Sequence, residues 1–182
     1  MKFIKLPLIG AYTVELEPFE DQRGMFSRIF CENEFKEIYH SKKLVQINHS
    51  LTNRKGAVRG LHYQNPPMTE TKMVKCLRGS VYDVIIDLRK ESDTFLKWHG
   101  ETLSSENRCM LYIPEGFAHG FQTLDTNCEL LYFHTEFYSP DYEEAVRFDD
   151  PRVGIKWPLD VTEISEKDKN HPLLSENYKG IV

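Results

Sequence analysis

Short runs of β-branched and aromatic residues, separated by turn residues, dominate the middle of the chain. Runs of this length and composition predict strands. Leu77-Arg78-Gly79-Ser80 is typical of a tight turn between two of them. Strands this frequent indicate a β-sandwich or a barrel. The predicted strands are MVKCLRG (73–79), SVYDVIIDLR (80–89), RCMLYIP (108–114), GFQTL (120–124) and CELLYFHTEF (128–137).

One longer segment has the periodicity of a helix. In residues 33–44, Phe35, Ile38 and Tyr39 fall on one face of a helix, and Asn33 is placed to cap its start. Near the other end of the chain, residues 165–176 predict a short helical turn followed by a loop. The cap of that turn is expected from Ser165, with Asp168 three residues later.

Length and charge narrow the class of protein. The 182 residues suit one domain, with a β-core at about 45–140 preceded by N-terminal strands and the helix. The net charge of -5 disfavours nucleic acid as a partner. Residues 1–18 predict a strand rather than a signal peptide, and no apolar stretch is long enough to span a membrane. The four cysteines form no CxxC pair, so we expect reduced thiols in a cytoplasmic protein.

A histidine follows an arginine and two glycines in the segment Gly56 to Gln64. In an ideal strand Arg59 and Leu61 share one face and His62 lies on the other, but the glycine between them permits a bulge. A lone histidine of this kind is most often a core residue bonded to a backbone carbonyl. A second motif weighs against that interpretation here.

The second motif is Ile113 to Phe121, which contains P-x-G-x-x-H and resembles the second motif of the cupin superfamily. The earlier segment resembles a decayed first cupin motif. A metal-binding cupin has histidine where Gln64 stands, and glutamine is a poor ligand for a transition metal. We therefore expect no metal. The residues that carry the first resemblance are Gly56, His62, Gln64, Glu70 and Gly79.

Taken together, segments along nearly the whole chain resemble the dTDP-4-dehydrorhamnose 3,5-epimerase family. The resemblance implies an all-β, cupin-type jelly-roll β-sandwich with a few short helices, and a homodimer that exchanges strands. It also implies no cofactor and a nucleotide-linked 4-keto-6-deoxyhexose as substrate. The matching segments are 23–26, 45–50, 59–64, 113–121, 131–132, 148–151, 155–158 and 164–168.

The resemblance also assigns catalytic roles that the chemistry supports. A ketone at C4 acidifies the hydrogens on C3 and C5, so inversion needs a base, an acid and a group that holds the enolate oxygen. His62 suits the base, because the unperturbed pKa of histidine is about 6.5. Asp168 resembles its carboxylate partner, Lys72 the cation at the carbonyl oxygen, and Tyr132 the acid on the opposite face. Taken alone, these three residues also suit a helix cap, a surface lysine and a packing aromatic.

Six further residues match substrate-binding positions of the family. Arg59 resembles an anchor near the histidine, and His119 lines the pocket without a role in proton transfer. The resemblance gives Arg23 and Phe26 to the site of the partner subunit, where they contact the diphosphate and stack on the base. The remaining matches are polar positions of the pocket, Gln46 and Asn48.

Two positions depart from the family pattern and leave the substrate open. Arg28 stands where an acidic residue is typical, and Phe133 where lysine is frequent. One alternative is therefore a C5 or C3 epimerase of a CDP-linked or other sugar nucleotide. Two more distant alternatives are a metal-dependent cupin dioxygenase or isomerase and a sugar-binding cupin without activity. The incomplete ligand set argues against the former, and the base–carboxylate–lysine–acid set against the latter.

Overall fold

Antiparallel strands form the framework of the structure, a computed structural model that describes residues 1–181. They form two large sheets and one small hairpin. The strands are β1 (Lys2–Lys5), β2 (Tyr12–Glu15), β3 (Phe19–Asp21), β4 (Gly24–Phe26), β5 (Gln46–Thr52), β6 (Val58–Gln64), β7 (Lys72–Arg78), β8 (Ser80–Asp87), β9 (Trp98–Ser104), β10 (Cys109–Ile113), β11 (Phe117–Thr123), β12 (Cys128–His134) and β13 (Glu143–Ala145).

The two large sheets pack face to face as a sandwich. One has the order β1-β2-β10-β7-β12-β5, and the other β13-β6-β11-β8-β9. Every connection from β5 to β8, and again from β9 to β12, passes from one sheet to the other, as in a jelly roll. Val74 and Leu111 of the first sheet share a buried cluster with Ile85 and Phe121 of the second. The predicted cupin-type jelly-roll sandwich is confirmed.

The predicted turn at Gly79 joins strands of opposite sheets, β7 and β8. It is therefore a corner of the sandwich and does not close a hairpin. Gly79 has a φ of +73°, and a Cβ atom there would lie 2.9 Å from Sγ of Cys128. Glycine is required at this corner because both the backbone conformation and the available space exclude a side chain.

The predicted helix at 33–44 is wrong in its length. An α-helical turn, α1, spans Glu32–Phe35, and a 3₁₀ turn spans Lys36–Ile38. Cys31 precedes α1 and makes no side-chain cap, so the predicted cap at Asn33 is absent. Phe35 and Ile38 are buried as expected, but Tyr39 is 91% exposed.

The helix stops early because the chain reverses at Tyr39. Its φ of +60° is left-handed. The N–H of Tyr39 donates to the carbonyl of Lys36, and the N–H of His40 donates to that of Phe35, at 3.0 and 3.1 Å. This pair of bonds is a Schellman motif, which satisfies the last carbonyls and ends a helix.

Both ends of the chain pack on the sandwich. The N-terminal segment forms two strands, β1 and β2, which extend the six-stranded sheet beyond the expected core at 45–140. After β13 the chain covers the other sheet, where Val153, Trp157 and Tyr178 pack against a second buried cluster. A second helical turn, α2, spans Glu166–Lys169. Among residues 1–181, every helix is too short to cross a membrane.

Candidate active site

A cavity of about 310 Å³ opens between the sheets, and most of the residues that line it have polar or charged side chains. Its walls include side chains of β5, β7 and β12 from one sheet and of β6 and β11 from the other. The cavity therefore brings together residues that are far apart in the sequence. Of the predicted site residues, its lining contains Gln46, Asn48, Arg59, His62, Lys72, His119 and Tyr132.

A β-bulge places Arg59 and His62 on the same side of β6. His62 pairs with His119 of β11 and Arg59 pairs with Phe121, so two residues of β6 oppose one of β11. Arg59 and His62 both line the cavity. The separation of their faces expected for an ideal strand is thus wrong, and the alternative of a glycine bulge is confirmed.

Glycine is required on both sides of this bulge. Gly60 has a φ of +112°, and a Cβ atom on it would lie 2.6 Å from Cα of Gly120. The two strands approach each other more closely than any side chain at either position permits. The bulge also turns the N–H of Gly60 towards a carboxylate oxygen of Asp168, 3.3 Å away.

That carboxylate belongs to α2 and also contacts the histidine. Oδ1 of Asp168 lies 2.7 Å from Nε2 of His62. Burial alone raises the pKa of Asp168, but the hydrogen bonds from His62, Gly60 and Ser165 outweigh it and hold the pKa below its ordinary value. Asp168 is thus ionised at neutral pH and orients the imidazole.

The predicted cap of α2 is confirmed in the same place. Oγ of Ser165 accepts a hydrogen bond of 3.0 Å from the backbone N–H of Asp168. The two interpretations of Asp168 are therefore compatible, since its main chain closes the helix cap while its side chain holds His62. The cap fixes the backbone from which the carboxylate projects.

Tyr132 lies on β12 of the opposite sheet. Its hydroxyl is 3.0 Å from Oγ of Ser50, and its ring meets the ring of His119 edge to face at 6.3 Å. Burial raises the pKa of Tyr132 to about 12, although the hydrogen bond to Ser50 opposes the shift. The phenol therefore keeps its proton throughout the neutral range and is available as a donor.

A buried ion pair holds the lysine of the cavity. Nζ of Lys72 lies 3.2 Å from Oε1 of Glu70, and Oε2 of Glu70 lies 2.6 Å from Nδ1 of His134. Burial raises the pKa of Glu70, but the charge of Lys72 and the hydrogen bond from His134 lower it to about 2. Lys72 is therefore a cavity residue with a permanent counter-ion, unlike an ordinary surface lysine.

His119 is hydrogen-bonded to a buried carboxylate. Its Nε2 lies 2.9 and 3.0 Å from the two carboxylate oxygens of Asp83, and both side chains are buried. Burial lowers the pKa of His119 despite the nearby carboxylate. Its ring serves as a wall of the cavity.

Gln64, at the position of a cupin metal ligand, is fully engaged with the backbone. Its Nε2 donates to the carbonyls of Met68 and Phe137 at 2.9 and 3.2 Å, and its Oε1 accepts from the N–H of Ser139 at 2.7 Å. Within residues 1–181, no group of three or more His, Cys, Asp or Glu side chains is placed to hold a metal ion. The residues present therefore do not fit a cupin metal centre.

Arg23 and Phe26 lie outside the cavity of their own chain. They belong to the β3–β4 hairpin, where the side chain of Arg23 is 89% exposed and Phe26 is 72% exposed. Arg23 forms an ion pair of 2.5 Å with Asp21 on the same hairpin. The structure of the single chain thus gives these two residues no contact with the other predicted site residues.

The chain matches proteins of one family along nearly its full length. A sequence model of that family, described as dTDP-4-dehydrorhamnose 3,5-epimerase, matches residues 5–176. A protein of that description from Methanothermobacter thermautotrophicus is 45% identical over 179 residues, which is 97% of this chain and 96% of the relative. The chain belongs to the dTDP-4-dehydrorhamnose 3,5-epimerase family.

Solved structures agree with the family in their fold. A dTDP-4-dehydrorhamnose 3,5-epimerase from Bacillus anthracis, with TDP and PPi bound, superposes with a TM-score of 0.92 at 38% identity, covering 95% of this chain and 99% of that one. The dTDP-6-deoxy-D-glucose-3,5-epimerase from Legionella pneumophila, in complex with dTDP-4-keto-L-rhamnose, gives 0.89 at 36% identity, covering 94% and 92%. The predicted membership is confirmed, and the chain is an epimerase, in the isomerase class.

Several residues of the epimerase cavity were not predicted as site residues from the sequence. They are charged or polar, and each has a hydrogen-bond partner that is distant in sequence. Gln64 and Glu70 carried a signal as parts of the decayed cupin motif, and Ser50 stood in a segment that matches the family. The residues missed in this way are Ser50, Gln64, Glu70, His134, Tyr138 and Glu143, which line the cavity, and Asp83, which contacts His119.

Proposed function

We propose that this epimerase converts dTDP-4-dehydro-6-deoxy-D-glucose to dTDP-4-dehydro-L-rhamnose by inverting C3 and C5. The observation that carries the proposal is the placement of His62, with Asp168 behind it, and Tyr132 on opposite sheets around one cavity. Inversion requires a proton to leave on one face of the sugar ring and to return on the other. A base and an acid on opposite walls supply that geometry without a cofactor.

His62 removes the proton in this proposal. Its Nε2 is bonded to Asp168, so Nδ1 is the ring nitrogen left to accept a proton from the substrate. The carboxylate stabilises the imidazolium that forms. The proton taken from C3 or C5 therefore passes to a charged pair that is already oriented before the substrate binds.

Lys72 stabilises the negative charge that remains. Removing a proton next to the C4 ketone leaves an enolate, whose oxygen needs a positive partner. Lys72 lines the cavity with its side chain only 13% exposed. Its ammonium group therefore acts where water screens the charge poorly.

Tyr132 then returns a proton from the other wall. Its pKa of about 12 keeps the phenol protonated at neutral pH. Ser50, 3.0 Å away, offers a hydrogen-bond partner that orients the hydroxyl. After donation, the phenolate regains a proton from solvent and the histidine releases its own, so the enzyme returns to its starting state.

The sugar and the nucleotide are bound by the remaining predicted residues. Arg59, Gln46, Asn48 and His119 line the same cavity and supply polar contacts to the sugar nucleotide. For Arg23 and Phe26 we propose the site of a second subunit, because both are exposed on a hairpin outside their own cavity. The protein would then act as a homodimer.

Three further proposals describe the state of the enzyme. It works without a metal, because the side-chain amide of Gln64 is hydrogen-bonded to backbone groups. It functions in the cytoplasm, where the four free cysteines remain reduced. We also propose that residues 1–182 form one domain, which would unfold in a single cooperative transition.

The decisive experiment incubates the purified protein with candidate substrates in deuterium oxide. With the dTDP-linked 4-keto-6-deoxyglucose, NMR should show deuterium at both C3 and C5 together with the inverted product. Deuterium at one carbon alone would make the enzyme a mono-epimerase. Turnover of only a CDP-linked sugar would contradict the proposed nucleotide, and no exchange with either sugar would contradict the proposed function.

A further inference from the structure

The carboxylate of Glu70 contacts two other side chains of the cavity. Its two oxygens contact different partners, Nζ of Lys72 at 3.2 Å and Nδ1 of His134 at 2.6 Å. The side chains of Glu70, Lys72 and His134 are only 12%, 13% and 10% exposed. A carboxylate shared between two buried nitrogen groups has little freedom to move.

The partners of His134 determine which of its nitrogens carries a proton. A carboxylate only accepts hydrogen bonds, so Nδ1 of His134 donates to Glu70. Nε2 lies 3.3 Å from Nδ2 of Asn48, which only donates, so Nε2 accepts. His134 is therefore the neutral Nδ1–H tautomer, and its ring stacks on that of Tyr132 at 6.3 Å and 25°.

The same directional chain continues to the rim of the cavity. Oδ1 of Asn48 accepts from Nε2 of Gln46 at 3.2 Å, and Oε1 of Gln46 accepts from the backbone N–H of Tyr138 at 3.2 Å. Each donor in this series faces one acceptor, from Tyr138 through to Glu70. The amides of Gln46 and Asn48 thus have one orientation, and Glu70 is the acceptor at which the chain ends.

We propose that Glu70 is a positioning residue for the epimerisation, which holds the ammonium of Lys72 at the enolate oxygen and is itself fixed by His134. This inference rests on the proposed function. A lysine ammonium is a point charge on a flexible stem, so one anchored N–H restricts where the other two can point. Without the anchor, the ammonium would sample positions that miss the oxygen.

The negative charge of Glu70 has a second effect on the reaction. Lys72 and His62 line the same cavity. When His62 accepts the substrate proton, a second positive charge appears in the same cavity. Because Glu70 is ionised, it offsets the charge of Lys72 and makes this step less unfavourable.

A double-mutant cycle tests whether Glu70 acts through Lys72. In the otherwise unchanged enzyme, we expect Glu70→Gln to lower kcat for epimerisation about 10²-fold, with little change in KM, because Lys72 is misplaced. In a Lys72→Met background, the same substitution should change the residual rate by no more than about 2-fold. The matched control is Glu115→Gln, since Glu115 also pairs with a lysine, Lys42, outside the cavity.

The outcomes separate this inference from the proposed function. Equal losses in both backgrounds, or no loss from Glu70→Gln in the unchanged enzyme, would overturn the positioning role while the wild type still epimerises. A wild type without epimerase activity would overturn the proposed function and this inference together. If Glu70→Gln does not fold, Glu70→Asp replaces it in the cycle. Aspartate keeps the charge but shortens the side chain by one methylene. We expect Glu70→Asp to lower kcat about 10-fold, and this loss should also vanish in the Lys72→Met background.

Discussion

Nε2 of His62 lies 2.7 Å from Oδ1 of Asp168, although 106 residues separate them in the chain. The histidine is on a central strand and the aspartate on the short helix α2, so the pair exists only when the C-terminal segment is packed on the sheet. The contact leaves Nδ1 as the basic nitrogen for the substrate.

Replacing His62 with alanine should nearly abolish exchange of the substrate protons. A general base contributes about 10²–10⁴ in rate, so deuterium incorporation at C3 and C5 should fall by that factor. NMR of the substrate in deuterium oxide measures it. His99→Ala is the matched control, because His99 is paired with Glu101 outside the cavity. Near-normal turnover in His62→Ala would remove His62 from the mechanism.

Replacing Asp168 with asparagine should destabilise the protein in a pH-dependent way. The pKa of Asp168 is lower in the folded state than its ordinary value, so the carboxylate adds stability above about pH 4. At pH 7 we expect the free energy of unfolding to drop by about 1–3 kcal/mol. As the pH falls through the folded pKa of Asp168, this difference should shrink.

Urea denaturation of both proteins at pH 7 and below pH 4 measures the effect on stability. The exposed Asp149, which pairs with Arg147, provides the control Asp149→Asn. A stability difference that is the same at every pH would show that the ionised form of Asp168 contributes nothing to the fold.

Replacing Tyr132 with phenylalanine should separate proton removal from proton return. The variant keeps the ring that packs on His119 and His134 but loses the hydroxyl. His62 should still remove the proton, and water should return it to the original face. We expect deuterium at C3 or C5 with retained configuration and little epimer.

Tyr39→Phe serves as the control, because Tyr39 is 91% exposed and lies outside the cavity. Almost normal epimerisation by Tyr132→Phe would make Tyr132 a packing residue only. Equal loss of exchange and epimerisation would place its role in substrate binding or in the first step.

Removal of metals should leave the activity unchanged. Gln64 occupies the position of a cupin ligand, but its amide is bonded to three backbone groups. We expect full epimerase activity after exhaustive chelation and dialysis, with metal content measured by elemental analysis. Loss of activity that one added metal restores would instead support the metal-dependent cupin.

Mixed dimers should reveal whether Arg23 serves a neighbouring site. Arg23→Ala and His62→Ala should each be impaired alone, because every site lacks one group. Random mixing of the two subunits should restore about a quarter of the wild-type sites, since each mixed dimer contains one intact site. Light scattering should show the dimer, and a failure to recover activity after subunit exchange would contradict shared sites.

The strands were predictable because their signals are local. The runs at 73–79, 80–89, 108–114 and 128–137 coincide with β7, β8, β10 and β12 to within three residues. The strand predicted at 120–124 begins earlier, at Phe117, because Ala118, His119 and Gly120 are not typical strand residues and hid its first half. The prediction of a helix at 33–44 failed at Tyr39, which adopts a left-handed conformation that the periodicity of the segment did not indicate.

The site was predictable only where a motif carried it. His62 and His119 stand in segments whose glycines and prolines mark them, whereas Lys72 and Tyr132 needed the family resemblance. Glu70 and His134 are 64 residues apart, and nothing near either in the sequence indicates the other. The two side chains meet because β7 and β12 are neighbours in one sheet, with His134 opposite Lys72, and no local pattern specifies that pairing.

The bulge at Gly60 shows what one surplus residue in a strand makes possible. A regular strand between two neighbours commits all its N–H groups to them, so its backbone has no donor left for another group. In β6 the surplus residue leaves one N–H outside the ladder, and that group reaches the carboxylate of Asp168. Deleting Gly60 would restore a regular pleat and still leave Arg59 and His62 two positions apart, on one face. Asp168 would keep its contact with His62 but lose its hydrogen bond to the backbone of β6.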